Sequence, residues 1–71
     1  MSAPGCSITV NGETTSIPTD CSVEALLSRL DLAHKRVAVA VNRDVVPRGA
    51  YASVQIAAGD QIEILEAVGG G

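Results

Sequence analysis

Cys6-Ser7-Ile8-Thr9-Val10-Asn11-Gly12-Glu13-Thr14-Thr15-Ser16-Ile17-Pro18 decides the fold. From Cys6 to Val10 apolar and polar residues alternate, the pattern of a strand with one buried face. Asn11-Gly12 is the pair that best tolerates the positive φ angles of a two-residue hairpin turn. The returning strand is expected over Glu13–Ile17. Pro18 is expected to end the pairing, because proline has no N–H to give to a ladder. Residues 1–5, marked by Pro4 and Gly5, are expected to form a loose leader ahead of the hairpin.

Beyond the hairpin the periodicity changes. Val23, Leu26, Leu27 and Leu30 fall at i, i+3, i+4 and i+7, which predicts a helix from about Ser22 to Leu30 with one apolar face. Ser22 is a good N-cap, and Glu24 in the first turn suits the positive end of the helix dipole. Asp31 to Arg36 is expected to be a polar connection. Val37-Ala38-Val39-Ala40-Val41 is a strand with valines on one face and alanines on the other. Asn42-Arg43 is a turn, and Asp44-Val45-Val46 a short strand closed by Pro47. Residues 48–58 carry little pattern and are expected to be a loop with a short helical turn near Tyr51. Gly59-Asp60 is a turn, Gln61 to Glu66 the last strand, and residues 67–71 are expected to form a flexible C-terminal tail. One main helix and four or five strands sharing one core imply an α+β domain, with a mixed sheet covered on one face. Residues 1–71 are expected to form a single domain.

Bulk properties narrow the function. With 71 residues the chain holds one domain, and its 46% hydrophobic content is that of a folded protein. Tyr51 is the sole aromatic residue, so the stacking platforms that bind single-stranded nucleic acid are missing. The net charge of −3 argues against nucleic acid and anionic membranes, and favours a partner with a basic surface. No stretch is long or apolar enough to span a membrane, and the N-terminus lacks the features of a signal peptide. A cytoplasmic location follows as an expectation. Cys6 and Cys21 are then expected as reduced thiols with no disulfide between them. Cys6 shares strand parity with Ile8 and is expected inside. Cys21 adjoins the helix N-cap, where thiol pKa values can fall, but a structural role is favoured for both. Two cysteines and His34, which lies in a polar loop and is expected to be solvated, fit no structural zinc motif. No constellation resembles a nucleophile with a base, so the chain is not expected to be an enzyme.

The order of elements and their punctuation resemble the ThiS family of sulfur carriers. The resemblance rests on Val10-Asn11-Gly12-Glu13, Val23-Glu24-Ala25-Leu26-Leu27, Val39-Ala40-Val41-Asn42 and Val45-Val46-Pro47-Arg48. It continues through Gly59-Asp60-Gln61-Ile62-Glu63-Ile64 to Ala67-Val68-Gly69-Gly70-Gly71. It covers nearly everything from Ile8 onward, although three glycines stand where the motif demands two. It implies a ubiquitin-like β-grasp fold. It also implies that a ThiF-type enzyme uses ATP to adenylate the carboxylate of Gly71, with no cofactor bound by the carrier itself. Sulfur from a cysteine desulfurase or a rhodanese relay then displaces AMP. The resulting thiocarboxylate serves thiazole synthase in thiamine biosynthesis.

Glycine suits the thread that carries such a carboxylate, because it lacks a Cβ and passes close to enzyme walls. Gly69, Gly70 and Gly71 are therefore the expected working tail. A carrier without an active site of its own must be recognised by its surface. Leu65 has the opposite strand parity to Ile62 and Ile64, and is expected outward with Ser7, Thr9, Ala38 and Ala40. Leu65, Val68 and Arg48 are the expected partner-docking residues. Three alternatives stay open: a carrier for another pathway, such as a small subunit of molybdopterin synthase; a ubiquitin-like protein modifier; and a plain interaction domain.

Overall fold

The first hairpin forms where the alternation places it. The computed structural model describes residues 5–66. β1 (Gly5–Val10) and β2 (Glu13–Pro18) pair antiparallel, from Val10 opposite Glu13 to Gly5 opposite Pro18. Asn11 and Gly12 bridge them with φ of 52° and 86°, the two positive angles that a type I′ turn needs. Both outer ends of the hairpin run one residue further than expected. Gly5 belongs to β1 rather than to a leader, and a Cβ there would sit 3.1 Å from the Ile17 carbonyl oxygen. Pro18 is tolerated as the last residue of β2 because β2 is an edge strand.

The helix α1 spans Val23–Arg29, with Ser22 as N-cap and Leu30 as C-cap. The Ser22 hydroxyl accepts a hydrogen bond from the Ala25 N–H at 3.1 Å. The remaining N-terminal donors reach into the segment that carried little pattern. Val23 N–H goes to the Val54 carbonyl at 3.0 Å and Glu24 N–H to that of Tyr51 at 2.9 Å. That segment begins with a short 3-10 turn, Arg48–Ala50, and buries Ile56 to 2% exposure. It therefore closes the helix N-terminus and contributes to the core.

The C-terminus of α1 ends in a Schellman motif. Leu32 N–H bonds the Leu27 carbonyl at 2.7 Å, and Asp31 N–H that of Ser28 at 3.1 Å. Asp31 takes the left-handed position, φ 62°, where glycine is usual. The motif turns Leu32 back onto the core, so the expected polar connection is partly apolar inside.

β3 (Val37–Val41), β4 (Asp44–Val46) and β5 (Gln61–Glu66) complete one five-stranded sheet of order β2-β1-β5-β3-β4. β1 and β5 pair in parallel at its centre, and the other neighbours are antiparallel. This mixed sheet with one covering helix is the expected α+β, β-grasp arrangement. Between sheet and helix lie Ile8, Ile17, Val23, Leu26, Val39 and Ile62, each no more than 3% exposed. No charged or polar side chain is buried among the described residues.

Two asparagines fasten β5. Asn11 accepts from the Ile64 N–H through Oδ1 at 2.8 Å, and donates through Nδ2 to the Ile64 carbonyl at 3.1 Å. Its side chain thus continues the parallel ladder two residues past the point where β1 turns away. Asn42 accepts from the Gln61 N–H at 2.9 Å and donates to Asp60 Oδ1 at 3.0 Å.

Candidate functional site

Around Leu65 the outer face of the sheet is made of small and aliphatic side chains, with Glu63 the one charged residue among them. Leu65 is 72% exposed, while its neighbours Ile62 and Ile64 are 1% and 6% exposed, so its outward parity holds. Opposite Leu65 on β3 lies Ala38, and Ala40 lies between Glu63 on β5 and Val45 on β4. Val45 is 76% exposed. These side chains frame a shallow depression of about 170 Å³, floored by alanine and flanked by Leu65 and Val45. Two adjacent valines close β4, and parity sends one of them outward. The pairing of Val46 with Val39 on the inner face selects Val45. The sequence alone does not fix that register, and Val45 was missed for that reason.

Arg48 is exposed but belongs to a different depression, of about 420 Å³. The walls there are Glu24 and Leu27 of α1, residues 33–36, Arg48 and Tyr51. Tyr51 donates its hydroxyl to the Val37 carbonyl at 3.1 Å and so ties the 48–58 segment to the start of β3. Arg48 is thereby brought beside His34, Lys35 and Arg36 rather than beside Leu65. His34 is exposed, as expected of a solvated loop residue.

The thiols are free, Cys6 half-buried beside the core and Cys21 buried. Burial pushes the Cys21 thiol above its ordinary pKa, with Arg29 pulling the other way and Cys6 adding to the rise. The N-cap neighbourhood does not lower it. The raised value suits a packed side chain rather than a reactive thiolate. Among the described residues no group of three or more His, Cys, Asp and Glu is placed to hold a metal. No helix among them is long and apolar enough to cross a membrane. Val68, Gly69, Gly70 and Gly71 lie outside the described residues; the sheet leads toward them through Glu66, which pairs with Val37.

Comparison with known proteins identifies the arrangement. Residues 4–71 match the ThiS family. The chain belongs to that family. Among solved structures, the thiamine biosynthesis protein ThiS of Geobacter metallireducens superposes with a TM-score of 0.79 at 34% identity. That similarity covers 92% of this chain and 99% of that one. SAMP1 of Haloferax volcanii, at 18% identity and TM-score 0.56 over 96% of this chain and all of that one, shares the fold. Two thiazole synthases, from Paramagnetospirillum magneticum and Magnetococcus marinus, are 39% and 41% identical over 90% of this chain. The chain spans about a fifth of the length of each, 20% in both cases. An uncharacterized protein of Porphyra purpurea is 35% identical over 92% of both chains. In the ThiS-family frame, the two asparagine clamps explain in structural terms why Val10-Asn11-Gly12 and Val41-Asn42 punctuate the sequence.

Proposed function

We propose that the chain is a sulfur carrier whose working group is the α-carboxylate of Gly71. The observation that carries this reading is that the ThiS-family match runs through residue 71, and so includes Gly69-Gly70-Gly71. A carboxylate is a poor electrophile, because its charge is delocalised and its oxygen leaves badly. In the proposed first step a ThiF-type enzyme brings the Gly71 carboxylate to the α-phosphorus of ATP, and pyrophosphate leaves. A persulfide from a cysteine desulfurase or a rhodanese relay then attacks the acyl carbon, and AMP leaves. The new bond is C–S, so an acyl disulfide results. A second thiol attacks the donor's sulfur and cleaves the S–S bond that came with the persulfide, giving a thiocarboxylate and a disulfide.

Thiazole synthase is the proposed acceptor of the sulfur. Two proteins of that name contain a region similar to this chain, which supports carrier and synthase working together. The carrier itself supplies no acid, base or metal in this scheme. Its contribution is a narrow glycine end and a docking face formed by Leu65, Val45, Ala38 and Ala40, with Val68 and Arg48 as further proposed contacts. A contiguous exposed apolar patch is the usual mark of such a face. Intact mass after incubation with the ThiF-type enzyme, ATP and a sulfur donor tests the reading. Replacing one oxygen of the carboxylate by sulfur adds about 16 Da to the mass of the unmodified chain. An unchanged mass with an enzyme proven active on another carrier contradicts it.

A further inference from the structure

The chain carries a net charge of −3, yet its positive charge is concentrated in one place. Of its five Lys and Arg residues, Lys35, Arg36 and Arg48 meet in a single groove together with its only histidine, His34. One carboxylate, Glu24, faces them there. All of these side chains are exposed. Between the cations, Leu27, Ala33 and Tyr51 give the groove an apolar floor.

The position of this groove in the sheet gives it meaning. Arg36 immediately precedes Val37, the first residue of β3. Val37 pairs with Glu66, the last residue of β5, and its carbonyl accepts the Tyr51 hydroxyl at 3.1 Å. The cationic groove therefore adjoins the point where β5 ends and residues 67–71 begin. Leu65, one residue before that point, marks the near end of the apolar outer face.

We infer that Lys35, Arg36 and Arg48 form a cationic collar at the root of the tail, which docks on a carboxylate-rich protein surface around a partner's active-site entrance. This rests on the proposed role of the Gly71 end. Such an arrangement divides the recognition. The apolar face supplies desolvated contact, while the collar steers the encounter and orients the tail's root toward the opening. Charges at an interface rim act mainly on association rate and salt dependence. The collar's local positive charge calls for carboxylates, and the single aromatic residue leaves no stacking platform for single-stranded nucleic acid, which favours an acidic protein as the occupant.

The test is direct binding of the full chain to the cognate ThiF-type enzyme without ATP, in parallel with ATP–pyrophosphate exchange. Wild type is compared with the Lys35→Glu/Arg36→Glu/Arg48→Glu variant and with the milder Lys35→Ala/Arg48→Ala variant. Far-UV circular dichroism checks the fold of each. At about 0.05 M salt the charge reversal is expected to raise Kd at least about tenfold, and the alanine pair less. Wild-type binding weakens as salt rises to about 0.5 M, whereas that of the folded variants responds much less. Equal Kd and equal salt response for wild type and the folded alanine pair overturn the collar, even if both support exchange. Salt-dependent wild-type binding that the variants lose, without any exchange, keeps the collar and removes the carrier reading. Failure of wild type to bind the enzyme, or collar-dependent binding to single-stranded RNA alone, overturns the collar.

Discussion

Replacing Asn11 by alanine strips two hydrogen bonds from the Ile64 backbone at once. Both groups are partly buried, so water replaces the lost amide poorly. The loss of a buried partner costs about 1–3 kcal/mol. Alanine would also have to hold a φ near 52°, which adds to the penalty. Asn11→Gly separates the two effects, since glycine accepts the angle and lacks the amide. Urea denaturation is expected to rank wild type above Asn11→Gly, and Asn11→Gly above Asn11→Ala. A midpoint for Asn11→Gly equal to wild type would show that the amide clamp contributes nothing. Residue identity shows in the sequence only half of what Asn11 does. The Asn-Gly pair announces a turn, but its amide acts on a strand 53 positions away. That contact depends on β5 lying parallel beside β1, which no local pattern specifies.

At the scale of elements, α1 is short and depends on its neighbours. Its 7 residues are too few to be stable alone, so packing and caps must hold it. Leu26, 1% exposed, sits at the centre of the contact with the sheet. Leu26→Ala is expected to lose about 2–5 kcal/mol, a large share of the stability of a domain this small. Thermal unfolding checks it, and an unchanged melting temperature would mean the helix face is misassigned. Strong periodicity made α1 and the strands legible: β3, β4 and β5 fall on the expected bounds, β1 and β2 run one residue further at their outer ends, and α1 lies one residue inside its expected range at each end. Two segments were not legible. Leu32 is turned inward by a Schellman motif with aspartate in the glycine position, so the usual stop signal is absent. Ile56 stands alone among small and polar residues, and its burial follows from the bond of its N–H to the Cys21 carbonyl at 2.9 Å. Both were hidden because their environment comes from chain reversal rather than from periodicity.

For the whole molecule, the proposed carrier role asks for a surface that partners can recognise. The core occupies one side of the sheet and leaves the other to Leu65, Val45 and the alanines. Of that face, Leu65 is legible from strand parity and Val45 is not; Arg48 lies in the separate groove, and the sequence singles it out without its cationic neighbours. Net charge concealed those neighbours because it averages over an uneven distribution. Leu65→Glu is expected to leave the melting temperature nearly unchanged, since the side chain is already 72% exposed. Binding to the ThiF-type enzyme is expected to weaken more than about tenfold, because a new charge must be desolvated in the interface. Unchanged affinity in a titration of the folded variant would remove Leu65 from the docking face.

The central claim is that the Gly71 carboxylate is the working group, and the most direct measurement is ATP–pyrophosphate exchange on a chain extended by one alanine after Gly71. The added residue follows three glycines, which bring no side chain to a core, so thermal stability should be untouched. It moves the carboxyl carbon onward by up to about 3.6 Å. A displacement of even about 1 Å can cost about two orders of magnitude in a positioned reaction. The account predicts that exchange falls to background while circular dichroism and melting temperature stay those of wild type. Exchange at the wild-type rate would contradict it.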